Sequence, residues 1–265
     1  MRRDRSESIL EQTRSPFRRI ADEAQLLGAD VSVLGKPLTP EEAIGTPGRR
    51  DFPIILGKER VLEATVLGSR GQAFTDSARE YLGQLRDVVN LELRTNEKRA
   101  IYVATLNAVL AHVGEVECTV HCRDDDPEDC GREIAETLFV ESSEGRVGLI
   151  GLNPAIGENL VSAFGPNRVF FSDLDPDNVG RRRFGVEVWD GRHRTDELID
   201  SSEVVVFTGT TLVNGTFDAI FSRIRDHGKR YLIYGMTAAG VGHLMDFRRI
   251  CPRARPGKPP QVLNL

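Results

Sequence analysis

The pattern of apolar runs predicts an α/β protein: a mostly parallel sheet flanked by helices in the C-terminal half, preceded by a smaller α+β module. Three observations carry this. Val204-Val205-Val206-Phe207 is an unbroken β-branched and aromatic run, the mark of a strand buried on both faces. Arg146 to Leu152 is a second such run, and the turn Asn153-Pro154 leads from it into a helical stretch, Ala155 to Phe164, so strand and helix alternate as parallel sheets require. Between Gly28 and Gly71 the apolar runs are short and divided by Gly35, Pro37, Pro40, Gly45, Pro47, Gly48 and Gly57, which predicts a small antiparallel sheet.

In chain order, Ser6 to Leu27 reads as a helix with Gly28 as its stop, and Val31 to Leu34, Ile54 to Leu56 and Val61 to Leu67 read as strands. Gly68-Ser69-Arg70-Gly71 turns the chain into Gln72 to Thr75. Helices follow over Ser77 to Leu91 and Thr95 to Val113. On the second, Val103, Leu106, Leu110 and Val113 form an apolar stripe, Ala100, Ala104 and Ala111 a small-residue stripe, and Asn107 falls between them. A buried amide must have partners, so Asn107 either bonds a neighbouring backbone carbonyl or points into a cleft.

Cys118, Cys122 and Cys130 are bunched, with His121 among them. If residues 118 to 122 form a strand, Cys118 and Cys122 lie roughly 13 Å apart at ~3.3 Å per residue and cannot share one metal ion. If the segment is irregular, both can bind a soft metal, with Cys130 or His121 completing the site. Asp126-Pro127 starts a helix running to Val140. The polar stretch Glu141 to Gly145 marks a module boundary, dividing the chain into 1–143 and 144–265.

In the second module Val169 to Asp173 is a strand, and its terminal Asp173 and Asp175 stand where dinucleotide folds bond a ribose, roughly 20 positions past the first loop. Asp before Pro is equally a turn former. Gly185 to Trp189 is a short strand beside a basic patch of Arg181, Arg182, Arg183, Arg192 and Arg194. After the central strand, Thr208-Gly209-Thr210-Thr211-Leu212-Val213-Asn214-Gly215-Thr216 has loop composition with hydroxyls and amides free for a ligand, and Asn214 or Thr216 caps the helix of Phe217, Ile220, Phe221 and Ile224. Arg230 to Tyr234 is the last strand expected. Gly235 to His243 reads as another permissive loop, Cys251 as a packing residue, and Pro252, Pro256, Pro259 and Pro260 as an extended strap.

A net charge of −5 argues against nucleic acid as a partner. The basic start, Arg2, Arg3 and Arg5, is followed by no apolar run, which predicts a cytoplasmic protein without a membrane anchor. Four cysteines in 265 residues look unlike a secreted disulfide framework. The P-loop, zincin and nucleophile-elbow patterns are absent, and Gly148 with Gly151 does not complete a dinucleotide fingerprint.

Thr208 to Thr216, with Gly148-Leu149-Ile150-Gly151 and Ala104-Thr105-Leu106-Asn107-Ala108, resembles the heavy-metal chelation family, over about residues 15 to 250. The resemblance implies an enolase-N-terminal-like domain followed by a Rossmann-like domain, with a ligand site in the cleft between them. It implies that Asn107 and Thr208, Gly209, Thr210, Thr211, Asn214 and Thr216 line that cleft, with Asn153 and Pro154 at its edge. The chain departs from the family in having Gly235-Met236-Thr237 where a Gly-Pro turn is expected.

The functional expectation is a binding protein for a transition-metal ion or metal chelate. Oxygen and amide donors come from Thr208, Thr210, Asn214 and Asp173, and soft affinity from Cys118, Cys122 and Cys130. The alternative is an enzyme using S-adenosylmethionine or a nucleotide at Gly151, Asp173 and Thr208. A homo-oligomer is compatible with either; neither identifies a catalytic residue.

Overall fold

The computed structural model describes residues 7–33 and 38–259. Arg2, Arg3, Arg5, Ser6, Leu34, Gly35, Pro37 and Pro260, all named above, lie outside them. Helix α1 (Ile9–Glu23) is capped by Ser8, whose hydroxyl accepts from Glu11 N. Strand β1 (Asp30–Val33), helix α2 (Pro40–Ile44), strands β2 (Arg60–Val66), β3 (Ser69–Thr75) and β4 (Tyr81–Gln84), and helices α3 (Leu85–Val89) and α4 (Asn96–Val113) follow. The four strands form an antiparallel sheet in the order β3-β2-β1-β4. Leu67 and Gly68, both at positive φ, make the tight turn between β2 and β3.

Two expectations fail in this module. Residues 54–56 are not a strand: Leu56 N reaches back to Phe52 O and Lys58 N to Pro53 O, winding the segment into turns. The helix expected over 77–91 is strand β4 followed by the short α3, because β1 has an open edge that Tyr81 to Gln84 fill, with Tyr81 opposite Val33. Helix α4 is buried from Ala100 to Ala111 on every side, so it is the shared core rather than an amphipathic cover.

Strand β5 (Cys118–Val120) leads to helix α5 (Asp126–Glu141). Then come β6 (Val147–Ile150), α6 (Pro154–Phe164), β7 (Val169–Asp173), β8 (Arg182–Arg183), β9 (Val186–Asp190), α7 (Thr195–Ser201), β10 (Val204–Thr208), α8 (Thr210–Asn214), α9 (Phe217–Asp226), β11 (Arg230–Tyr234), α10 (Ala239–Met245), β12 (Arg249–Ile250) and β13 (Arg255–Pro256). The large sheet runs β12-β11-β10-β6-β7-β9-β8, parallel throughout except the β8–β9 pair. From β6 the chain proceeds outward through β7 and β9, then returns to β10 on the other side of β6. That reversal opens a crevice beyond the carboxyl ends of β6 and β10.

Strand β12 extends the sheet past Arg230 to Tyr234, so that strand is not the last. The stretch expected to be a loop at 235–243 is a 3-10 turn, Met236–Ala238, and then α10. Its glycines serve contact rather than freedom: a Cβ on Gly240 would lie 2.9 Å from Asn107 Oδ1 and from Leu106 Cγ. The stretch 208–216 likewise contains a helix, α8, ended by Gly215 in the left-handed region. The tail is the expected strap, pairing β13 with β5.

The two sheets share one body. Leu106 and Leu110 of α4 belong to the same apolar cluster as Leu212, Val213 and Phe217 of the second module. Helix α5, which the sequence boundary assigns to 1–143, packs Ile134, Ala135 and Leu138 with Leu149 and Ile156. Arg49 of the first module bridges Glu128 and Glu158, and Arg183 reaches back to Asp51. No described helix is long and apolar enough to cross a membrane.

Candidate functional site

At the carboxyl ends of β6, β7, β10 and β11 the first module leans over the large sheet and leaves a cleft of about 1260 Å³. Of the residues singled out in the sequence, Asn153, Asp173, Asp175, Thr208, Thr210, Thr211, Asn214 and Thr216 line it, with Cys122 and Cys130. Asn107, Pro154, Gly209 and Cys118 do not.

Asn107 takes the backbone alternative. Its Nδ2 donates to Gln72 O at 2.9 Å and to Met236 O and Thr237 O at 3.3 Å, while Oδ1 accepts from Gly240 N at 2.7 Å. Both polar atoms of the amide are spent joining β3 to α10 and the turn before it, so neither is left for a ligand. Gly209 is likewise structural: its N donates to Tyr234 O, and a Cβ there would lie 2.8 Å from Ala238 N. Pro154 is the buried first residue of α6.

The first βα turn is closed on itself. Gly151 has φ +80°, its carbonyl accepts from the Tyr234 hydroxyl at 2.7 Å, and a Cβ on it would meet Thr208 Cγ2 at 2.7 Å. Asn153 Oδ1 accepts from Ala155 N at 3.0 Å and Ile156 N at 3.2 Å. Those are the amides a nucleotide phosphate would need, and the cap already holds them. Asp173 is similarly engaged, Oδ2 by Leu152 N and Oδ1 by Asp175 N, each at 2.8 Å. These bonds work against the ribose role drawn from sequence position. The threonines bond largely among themselves: Thr208 Oγ1 donates to Thr210 Oγ1, and Thr211 Oγ1 to Thr208 O.

One wall carries sulfur. Cys122, Cys130 and Cys251 line the cleft, whereas Cys118, in β5, stands apart from its lining. The Cys130 thiol donates toward Cys251, and with the Arg249 cation nearby this lowers the Cys251 pKa against the opposing effect of burial. Cys130, holding that proton, is pushed up. Burial raises Cys122 and keeps it a thiol. His121 is held neutral by burial; its Nδ1 lies 2.6 Å from Cys122 O, which makes Nδ1 the protonated nitrogen and leaves Nε2 as an acceptor. Among the described residues no three His, Cys, Asp or Glu side chains converge closely enough to hold a metal ion unaided.

Tyr234, Cys251 and Glu59 are among the cleft residues that escaped sequence reasoning. Tyr234 ends β11, and burial holds its hydroxyl protonated. Cys251 is brought in by β12, a strand too short to be read from its residues. Glu59 lies in the charged turn Gly57-Lys58-Glu59-Arg60, where nothing distinguishes it from surface. Burial and then Asp173 push its carboxyl up to about 7, and no hydrogen bond or ion pair reaches it among the described residues.

Fold and site together define an α/β protein with a large cleft at the switch point of its seven-stranded sheet. Residues 133–246 match the DUF364 family, described as "Putative heavy-metal chelation", which bears out over the second module the resemblance read from the sequence. A solved DUF364 protein of unknown function from Pyrococcus horikoshii is 13% identical, with 87% of this chain and 80% of that one covered at a TM-score of 0.52. Another, from Desulfitobacterium hafniense, is also 13% identical, with 70% and 72% covered at 0.50. These likenesses show the fold. No curated protein matches the chain.

Proposed function

We propose that this protein binds a soft transition metal carried by a small chelating molecule, in the cleft between its two modules. The observation that carries the reading is the sulfur wall facing a cleft far larger than an ion. Cys130 and Cys251 supply an adjoining thiol pair, the lowered pKa of Cys251 favours the thiolate that soft metals bind, and His121 Nε2 is an unprotonated donor nearby. Because the protein donors do not close a shell by themselves, the remaining ligands come from the chelator, whose body the volume accommodates. The family description points the same way, although Cys122, Cys130 and Cys251 fall outside the matched residues and their role rests on the cleft.

The capped helix at Asn153 disfavours the alternative of a phosphate-bearing cofactor. Calorimetric titration with nickel alone, nickel citrate and nickel histidine tests the reading. Binding of a nickel chelate that is lost in the double variant Cys130→Ser with Cys251→Ser is expected. Equal binding by the double variant, or no binding of any nickel species, overturns it.

A further inference from the structure

Two segments far apart in the chain are clamped so that their thiols meet. Cys130 lies near the start of α5, and carboxylates of that helix hold arginines of the tail: Arg255 reaches Asp126 at 3.5 Å, and Arg253 reaches Asp129 at 3.9 Å and also Glu133. Asp126 and Glu133 lie one helical turn before and after Cys130, on its side of the helix. The residues that flank Cys251 are fixed by the sheets. Arg249 and Ile250 before it pair with β11, and Arg255 and Pro256 after it pair with β5.

The two sulfurs are in hydrogen-bond contact. Cys130 S–H donates to the Cys251 sulfur, which also accepts from the Arg249 side chain and the Ala254 N–H, while the Arg253 N–H bonds the Cys130 sulfur. Both thiols are half-buried and line the cleft, so a small oxidant has a path to them. Cys122 is buried, with its Sγ 3.6 Å from His121 Nδ1, and Cys118 stands outside the lining. We propose that Cys130 and Cys251 are a redox-active pair that closes reversibly to a disulfide. The consequence for the cleft rests on the reading of this pair as a soft-metal seat: a disulfide has no thiolate to offer, so oxidation releases the metal and reduction restores its site.

Hydrogen peroxide is the oxidant that the step requires. The Cys251 sulfur, with the Arg249 cation and backbone donors to stabilise negative charge on it, attacks one peroxide oxygen. The O–O bond breaks, the departing hydroxide takes the Cys251 proton and leaves as water, and Cys251 becomes a sulfenic acid. The Cys130 sulfur then attacks the Cys251 sulfur. An S–S bond forms, the S–O bond breaks, and its hydroxide leaves as water with the Cys130 proton. In sum the thiols give up two electrons and two protons, and the peroxide becomes two waters.

The test treats the full chain, reduced and freed of metal, with hydrogen peroxide at neutral pH and maps it by mass spectrometry without reduction. A Cys130–Cys251 cross-link and a mass lower by two hydrogens are expected, reversed by dithiothreitol. These two thiols are expected to be lost at least about tenfold faster than Cys118. In Cys130→Ser the sulfenic acid at Cys251 has lost its partner and is expected to be trapped by dimedone; Cys118→Ser is expected to cross-link at the parent's rate. Loss no faster than that of Cys118, a cross-link through Cys122 instead, or over-oxidation of Cys251 with no cross-link overturns the proposal. Nickel citrate and nickel histidine are then titrated into the oxidised and the re-reduced protein, with binding expected only after reduction. Nickel binding unchanged by the disulfide overturns the switch. A cross-link in a protein that binds no nickel species when reduced sinks the metal reading alone, and nickel binding without a cross-link sinks the redox pair alone.

Discussion

Glu59 is half-buried in the cleft wall near Asp173, and desolvation with that neighbouring charge makes it keep its proton to about 7 instead of the ordinary 4.5. A folded pKa above the unfolded one contributes stability that is fully present below about 4.5 and lost as pH rises through about 7. Glu59→Gln, neutral throughout, removes that loss. At pH 8 the variant is expected to be more stable than the parent by up to roughly 3 kcal/mol, with the two converging near pH 4.5. Denaturant unfolding at both pH values checks this; a gap independent of pH contradicts it. Asn107 is the opposite kind of residue, with all its hydrogen-bonding capacity satisfied. Asn107→Ala strands three carbonyls and one amide between the modules and is expected to cost about 3 kcal/mol, read from the urea midpoint. A cost under about 1 kcal/mol would show that these bonds are replaceable.

At the scale of elements, the close approach of β3 to α4 depends on Gly71. A Cβ there would lie 2.2 Å from Ala108 N and 2.3 Å from Ala104 O, both helix backbone that cannot yield. Gly71→Ala is expected to destabilise the protein by at least about 2 kcal/mol by separating sheet and helix. The same change at Gly180, where nothing lies within 4 Å, meets only the strain of its positive φ, so its effect in thermal unfolding is expected to be smaller. What could be read from residues follows the same division. The runs at 146–152 and 204–207 announce themselves because a buried parallel strand is apolar without interruption. Tyr81 to Gln84 does not, since its strand character comes from pairing with β1, and Leu82 points outward at 70% exposure. Gly240 and Gly242 suggested a flexible loop because glycines that admit a close neighbour look, in sequence, like glycines that permit a bend. Asp173 and most of Thr208 to Thr216, which line the cleft, were legible in the sequence. Glu59, Tyr234 and Cys251 were not, because they meet only once distant segments fold over the sheet edge.

The molecule as a whole behaves as one cooperative body if its cross-module links mean what they show. The Asn107 amide with Met236 and Gly240, the Arg49–Glu158 and Lys58–Asp175 ion pairs and the cluster around Leu106 and Phe217 all cross from one module to the other. Unfolding followed by fluorescence of Trp189, in the second module, and by far-ultraviolet dichroism of the whole chain is therefore expected to give a single coincident transition. Two resolved transitions would mean that the cleft lies between independently stable units.

The proposed grip on a metal through sulfur, with a chelator supplying the remaining donors, has a direct spectroscopic consequence. X-ray absorption at the nickel edge of the protein loaded with a nickel chelate is the measurement closest to that statement. The expected shell combines sulfur with nitrogen or oxygen neighbours and loses its sulfur component in the Cys130→Ser, Cys251→Ser protein. A shell of nitrogen and oxygen alone, indistinguishable from the free chelate, would contradict it.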